Sequence, residues 1–297
     1  MAPKRQAAVV FVHGLARKPA PAKLKELWLE ALSRNNPRPD VFPSPNNGVN
    51  LGTKGVPQTF TYYADVFYGE DYDTDFASYY ELDEDLELAR EGLAGIDPEV
   101  QPADPVTPRE RAFVRDFEAK LTAAAVLQPI AAPEVSTPVD PAPQWSKDVE
   151  IASWLPDPVK QAIIKKAAME AFYFLFDKEY VRADGQRFPV RRTLRERLLT
   201  DLKAAQAQAE QTVLVSHSMG TMVAYDVLRN CPECPPVHTL ITAGSPLGVK
   251  EVQEELISSD ADHVDFPASR LEHWINIYDP LDPILAQIRG STMTIVR

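Results

Sequence analysis

The chain has 297 residues, 44% of them hydrophobic, which supplies enough apolar surface for a sizeable core and excludes a wholly disordered polypeptide. A net charge of -12 and a pI near 5.0 repel phosphate backbones and anionic lipid heads, and no long basic patch offsets them, so nucleic acid is excluded as a partner. With two cysteines there is no disulfide framework, a reducing cytoplasm is the simplest compartment, and no stretch approaches the ~18 apolar residues of a transmembrane segment.

Taken in chain order, Ala7 to Val12 is a continuous β-branched and aromatic run, the pattern of a strand buried on both faces of a parallel sheet. His13-Gly14 interrupts it too early for a secretory signal. A helical pattern follows at Ala22 to Leu32, then a strand-like run from Thr59 to Phe67. Regular alternation stops between about Gly69 and Phe188, too long an interval for an ordinary connection. Asp97 to Pro143 is rich in proline and alanine, with a helix expected over Pro108 to Leu127. Val159, Ile163, Ala167, Ala171 and Leu175 recur at helical spacing beside Phe172, Phe174 and Phe176. That aromatic stripe reads first as helix packing and second as the lining of an acyl pocket. Helices are expected again at Thr193 to Ala207, Thr221 to Leu228 and Lys250 to Ile257. They alternate with strands at Gln211 to Val215, His238 to Thr242 and His273 to Tyr278, with a last strand at Thr292 to Arg297.

This order predicts an α/β protein: a mostly parallel central sheet with helices on both faces. Residues 1–68 and 189–297 would form the sheet domain, and residues 69–188 a cap inserted over it. The basic pairs Lys165-Lys166 and Arg191-Arg192 read as ordinary helix surface.

The sharpest chemical signal is Val213-Leu214-Val215-Ser216-His217-Ser218-Met219-Gly220, a strand running through a serine into a helix. A serine at such a tight turn needs small residues two before and two after it, and Ser216 and Gly220 meet that need. The turn would aim the Ser218 hydroxyl away from the sheet, with a helix N-terminus beneath it favouring negative charge. The second signal is Phe11-Val12-His13-Gly14-Leu15, which closes the first strand. Together the two motifs resemble the α/β-hydrolase family, over most of the chain outside the insertion.

The resemblance implies a serine hydrolase of lipase or esterase type, with Ser218 as nucleophile and the backbone N–H groups of Leu15 and Met219 forming the oxyanion hole. His13 and His217 are then structural, with His217 expected to point away from the tip of the turn. Ile241 to Gly248, containing Gly244-Ser245-Pro246, and Trp274 to Pro283 look like the family's next two strand ends. The family order of nucleophile, acid, histidine makes Asp282 the acid, with Asp279 second. All five histidines, His13, His217, His238, His263 and His273, precede Asp282, so the base is unassigned. Either a histidine follows Arg297, or the triad is incomplete and turnover is weak.

Three function classes therefore stand: an ester hydrolase acting on a small-molecule or lipid-like acyl substrate, a binding or scaffold protein on the same fold, and an amide or thioester hydrolase. No cofactor is expected, and oligomeric state is open. Cys231, Cys234 and His238 could offer three zinc ligands, but no fourth is evident, so no metal site is expected. Asp71, Asp73 and Asp75 mimic the start of a calcium loop, but Phe76 stands where glycine belongs and Leu82 where the closing glutamate belongs.

Overall fold

A computed structural model describes residues 5–14, 17–35, 47–72, 105–126, 165, 168–257, 264–277 and 293–296. Six strands form one parallel sheet in the order β2-β1-β5-β6-β7-β8. Their ranges are β1 Arg5–Val12, β2 Gln58–Thr61, β5 Ala209–His217, β6 Val237–Ala243, β7 Leu271–Ile277 and β8 Met293–Val296. An antiparallel hairpin, β3 Glu179–Val181 and β4 Arg187–Pro189, stands apart from it. The helices are α1 Pro21–Ser33, α2 Ala64–Tyr68, α3 Pro108–Val126, α4 over 168–175, α5 Val190–Gln208, α6 Met219–Asn230 and α7 Lys250–Leu256. The α/β class is the one expected, and no described helix is long and apolar enough to cross a membrane.

The period of two in β1 divides its side chains between two layers. Ala8, Val10 and Val12 enter the main core with α5 and α6, whereas Phe11 meets Trp28 of α1 edge-on, with ring centroids 5.7 Å apart. The sheet is thus covered on both faces at its centre, which is why this run carries no polar residue. Helix α5 buries Val190, Leu194, Leu198, Leu202 and Ala205, an i, i+4 stripe. Each leucine contributes about 2 kcal/mol of burial. Helix α6 is buried from Met219 to Leu228, so its one acid must be compensated inside the protein. Asp226 accepts hydrogen bonds from Arg191 at 2.6 Å, Arg195 at 2.5 Å and Asn230 at 2.8 Å. Burial acts to raise its pKa, but the two guanidinium groups prevail and hold it below the usual carboxylate value. Arg191 is therefore not plain surface as its doubled charge suggests. It ties α5 to α6, while Arg192 is exposed.

Two further expectations change. The run from Thr59 is a strand only as far as Thr61; residues 64–68 are helical. Tyr63 is the cause: its N–H donates to His13 Nε2 at 2.9 Å and its hydroxyl to the His13 carbonyl at 2.7 Å, folding the chain over the end of β1. The hairpin of β3 and β4 was not foreseen, because three-residue strands give too short an alternation. Its turn needs Gly185, at φ 84°. Within the proposed insertion, Phe113, Phe117, Phe172, Phe174 and Tyr180 belong to the same hydrophobic cluster as the sheet's helices. Phe172 and Phe174 are wholly buried there, so the aromatic stripe serves packing.

Candidate functional site

From β1 the chain crosses to β2 on one side of the sheet, and it later returns to β5 on the other side. The carboxyl ends of β1 and β5 therefore flank the place where strand order reverses, the crevice in which open α/β sheets hold their ligands. Gly14 follows β1 there and Ser218 follows β5.

Ser218 has φ 52° and ψ -127°, one of two non-glycine residues with positive φ among those described. Such a conformation costs about 1–3 kcal/mol and persists only where the surroundings impose it. Here its N–H donates to the Ala243 carbonyl at 2.9 Å, and its carbonyl accepts from Thr221 N–H at 2.9 Å and Thr221 Oγ1 at 2.7 Å. Since the Thr221 hydroxyl proton is used in that way, Ser245 Oγ donates to Thr221 Oγ1 at 2.9 Å and accepts the Leu247 N–H at 3.4 Å. This buried hydroxyl relay ties the turn to the loop after β6. The Ser218 side chain does not cap α6, although it stands at the N-cap position. Its Oγ is thus not consumed by the helix it begins.

Close approach explains the glycines. A Cβ on Gly220 would lie 2.4 Å from the His13 carbonyl oxygen and 2.8 Å from that of Val12, so only glycine lets α6 start against β1. A Cβ on Gly14 would lie 2.7 Å from Ser218 Cβ, 3.2 Å from Ser218 Oγ and 3.1 Å from His217 Nδ1. The serine hydroxyl and the His217 ring therefore share the small space in front of Gly14. On its other side the ring faces Gly244, at φ 56°, where a Cβ would stand 3.3 Å from Nε2. His217 accordingly borders the serine's space and does not point away from the turn as expected, because Gly14 and Gly244 leave room for its ring there. The residue reaches solvent, yet the protein packed around its ring, then the charge of Lys18, lowers its pKa, so it is neutral near pH 7.

His13 is buried, with Nδ1–H donated to the Gly14 carbonyl at 2.7 Å and Nε2 accepting from Tyr63. Its ring stacks on Tyr63 with centroids 4.0 Å apart. Burial first, and Lys18 second, push its pKa down to about 3. Both nitrogens are occupied, so His13 is a structural peg that fixes Gly14 opposite Ser218.

Of the residues singled out by sequence, Ser218 and Met219 meet at this crevice. The Met219 side chain is buried and its N–H opens α6, at a position without an intrahelical acceptor. Leu15, Asp279, Asp282, His263, Asp73 and Asp75 lie outside the described residues. His273 lies near the amino end of β7, in register with Thr239, far along the strand from the serine. The relay of Thr221 and Ser245 escaped sequence reasoning; its only trace there is a pair of hydroxyl residues in otherwise apolar or glycine-rich segments. A surface groove lined by Ala22, Lys25, Leu29, Gly52 and Gln58 runs along α1 and includes none of the crevice residues. No family model matches this chain, and no curated protein or solved structure matches it either.

Proposed function

We propose that this chain is a serine hydrolase of the α/β-hydrolase type, cleaving a carboxylic ester through an acyl-enzyme on Ser218. The observation that carries the reading is the forced backbone of Ser218, φ 52°, at the crevice where strand order reverses, with its hydroxyl left free of the helix cap. In this reading Oγ bonds to the acyl carbon while its proton passes to a base, and the carbonyl oxygen becomes an oxyanion facing the Met219 N–H. Collapse breaks the ester C–O bond and the alcohol leaves with the proton; water, giving its proton to the base, then adds to the acyl carbon, the acyl C–Oγ bond breaks, the carboxylic acid leaves and Oγ takes the proton back. Leu15 N–H is the second oxyanion donor, each donor contributing about 3 kcal/mol to the transition state.

Asp282 is the acid of this scheme, orienting a histidine base. Supporting it, β7 ends at Ile277 in register with Ala243, the residue whose carbonyl holds Ser218 N–H, so the strand preceding Asp282 finishes beside the serine turn. His13 does not qualify as the base, because both its nitrogens are engaged and protonation inside the core is suppressed.

The test is hydrolysis of p-nitrophenyl butyrate by the full chain. With the base unassigned, turnover by the chain is expected to be weak, and Ser218→Ala is expected to abolish the part of it that passes through an acyl-enzyme. An unchanged rate in that variant would remove Ser218 from the chemistry.

A further inference from the structure

At the opposite end of the sheet, the amino ends of β6 and β7 bring together His238, Glu272 and His273. We propose that these three side chains form a binding site for one zinc-like divalent transition metal ion, which clasps β6 to β7. His238 lies between Val237 and Thr239, which pair with Leu271 and His273 across the sheet. One ligand atom from each of the three residues lies within 4.8 Å of the others. His238 Nε2 stands 3.7 Å from Glu272 Oε2, and the two imidazole rings are 5.0 Å apart at 61°.

His238 Nδ1 is 2.8 Å from Thr239 Oγ1. When it donates to that hydroxyl, Nε2 carries the lone pair and is turned toward the carboxylate, the second-shell arrangement of metal-bound histidines. Donor atoms on a tetrahedral zinc ion stand about 3.3 Å apart, given bonds of about 2.0–2.2 Å. Glu272 and His273 are exposed, so small side-chain rotations close the remaining gap, while Val237, Leu271 and Trp274 hold the strand ends rigid in the core. Two imidazoles and one carboxylate select zinc or a neighbouring transition metal over calcium or magnesium.

The cysteines that the sequence associates with His238 are not part of this site. Cys231 and Cys234 are buried, and Cys234 Sγ donates to the Pro235 carbonyl at 3.4 Å. The partners of His238 come instead from across the strand pair. Three protein ligands leave a fourth position for water. The site is remote from Ser218 and independent of the hydrolase reading.

Calorimetric titration of the full chain with zinc chloride, supported by the visible spectrum of cobalt(II), tests the proposal. One ion per chain is expected, with tetrahedral cobalt absorption. His238→Ala and His273→Ala should each weaken binding at least ~10-fold, and Thr239→Val about 10-fold through loss of the orienting hydrogen bond. Circular dichroism melts without metal confirm that each variant is folded. Should either alanine variant not fold, Glu272→Gln supplies the same comparison, with at least ~10-fold weaker binding expected. The absence of saturable binding up to millimolar zinc would overturn the site and leave an ordinary histidine and carboxylate pair. Equal affinity in the variants would overturn it as well.

Discussion

The two ends of the sheet hold their chemistry in opposite ways. At the carboxyl end, Ser218 is fixed by backbone: carbonyls of Val12 and His13 leave no room for a side chain at Gly220, Ala243 takes the Ser218 N–H, and the hydroxyl relay takes its carbonyl. At the amino end, His238, Glu272 and His273 are held by their strands, and Glu272 and His273 are exposed. The first arrangement stores strain and tolerates almost no added atom. The second costs little to build and little to alter. A nucleophile needs the first kind because its direction must be fixed before substrate arrives, whereas a metal ligand can rotate onto its ion.

The comparison breaks most visibly at Gly220. Alanine there would drive a methyl into two backbone carbonyls, so Gly220→Ala should cost about 3 kcal/mol in denaturant unfolding as α6 is forced from β1. A loss under ~0.5 kcal/mol would mean that α6 is not seated so closely.

Acid should affect the carboxyl end next. His13 has a folded pKa of about 3 against about 6.5 when unfolded. Between these values the unfolded chain binds more protons, so the stability is fully present above about pH 6.5 and is lost as pH falls from there to the folded value. His13 alone should remove about 2 kcal/mol between pH 7 and 4.5, measured by unfolding at each pH. A His13→Gln variant should lack that part of the slope, and an identical slope would contradict the buried neutral imidazole.

A smaller effect of opposite sign is expected at Ser218. Ser218→Gly relieves the positive φ and should raise stability by about 1 kcal/mol while abolishing activity. At the amino end, His273→Ala without metal should change stability by less than ~0.5 kcal/mol.

The carboxyl end was also the more legible in sequence. Ala7 to Val12 announces a strand buried on both faces because its side chains meet two helical layers, and Ser216 to Gly220 announces the turn because a serine flanked by small residues between a strand and a helix is a contiguous pattern, even though the contacts that require Gly220 come from Val12 and His13 on β1. Where the determining contact is distant in sequence and no contiguous pattern marks it, reading fails. Tyr63 turns the chain after Thr61 through His13, fifty residues away. Arg191 reads as surface because its partner Asp226 lies on another helix. His238 suggests the nearby cysteines, since register with β7 is invisible in linear spacing. Leu15 and Asp282, the other half of the expected machinery, lie outside the described residues.

The central claim is that the strained turn exists to present Ser218 as a nucleophile. Incubating the full chain with a fluorophosphonate and mapping the adduct by peptide mass spectrometry tests it most directly. The account predicts one phosphonyl adduct on Ser218, absent from Ser218→Ala and from heat-unfolded protein. No adduct on Ser218, or equal labelling of the Ser218→Ala variant, would contradict it.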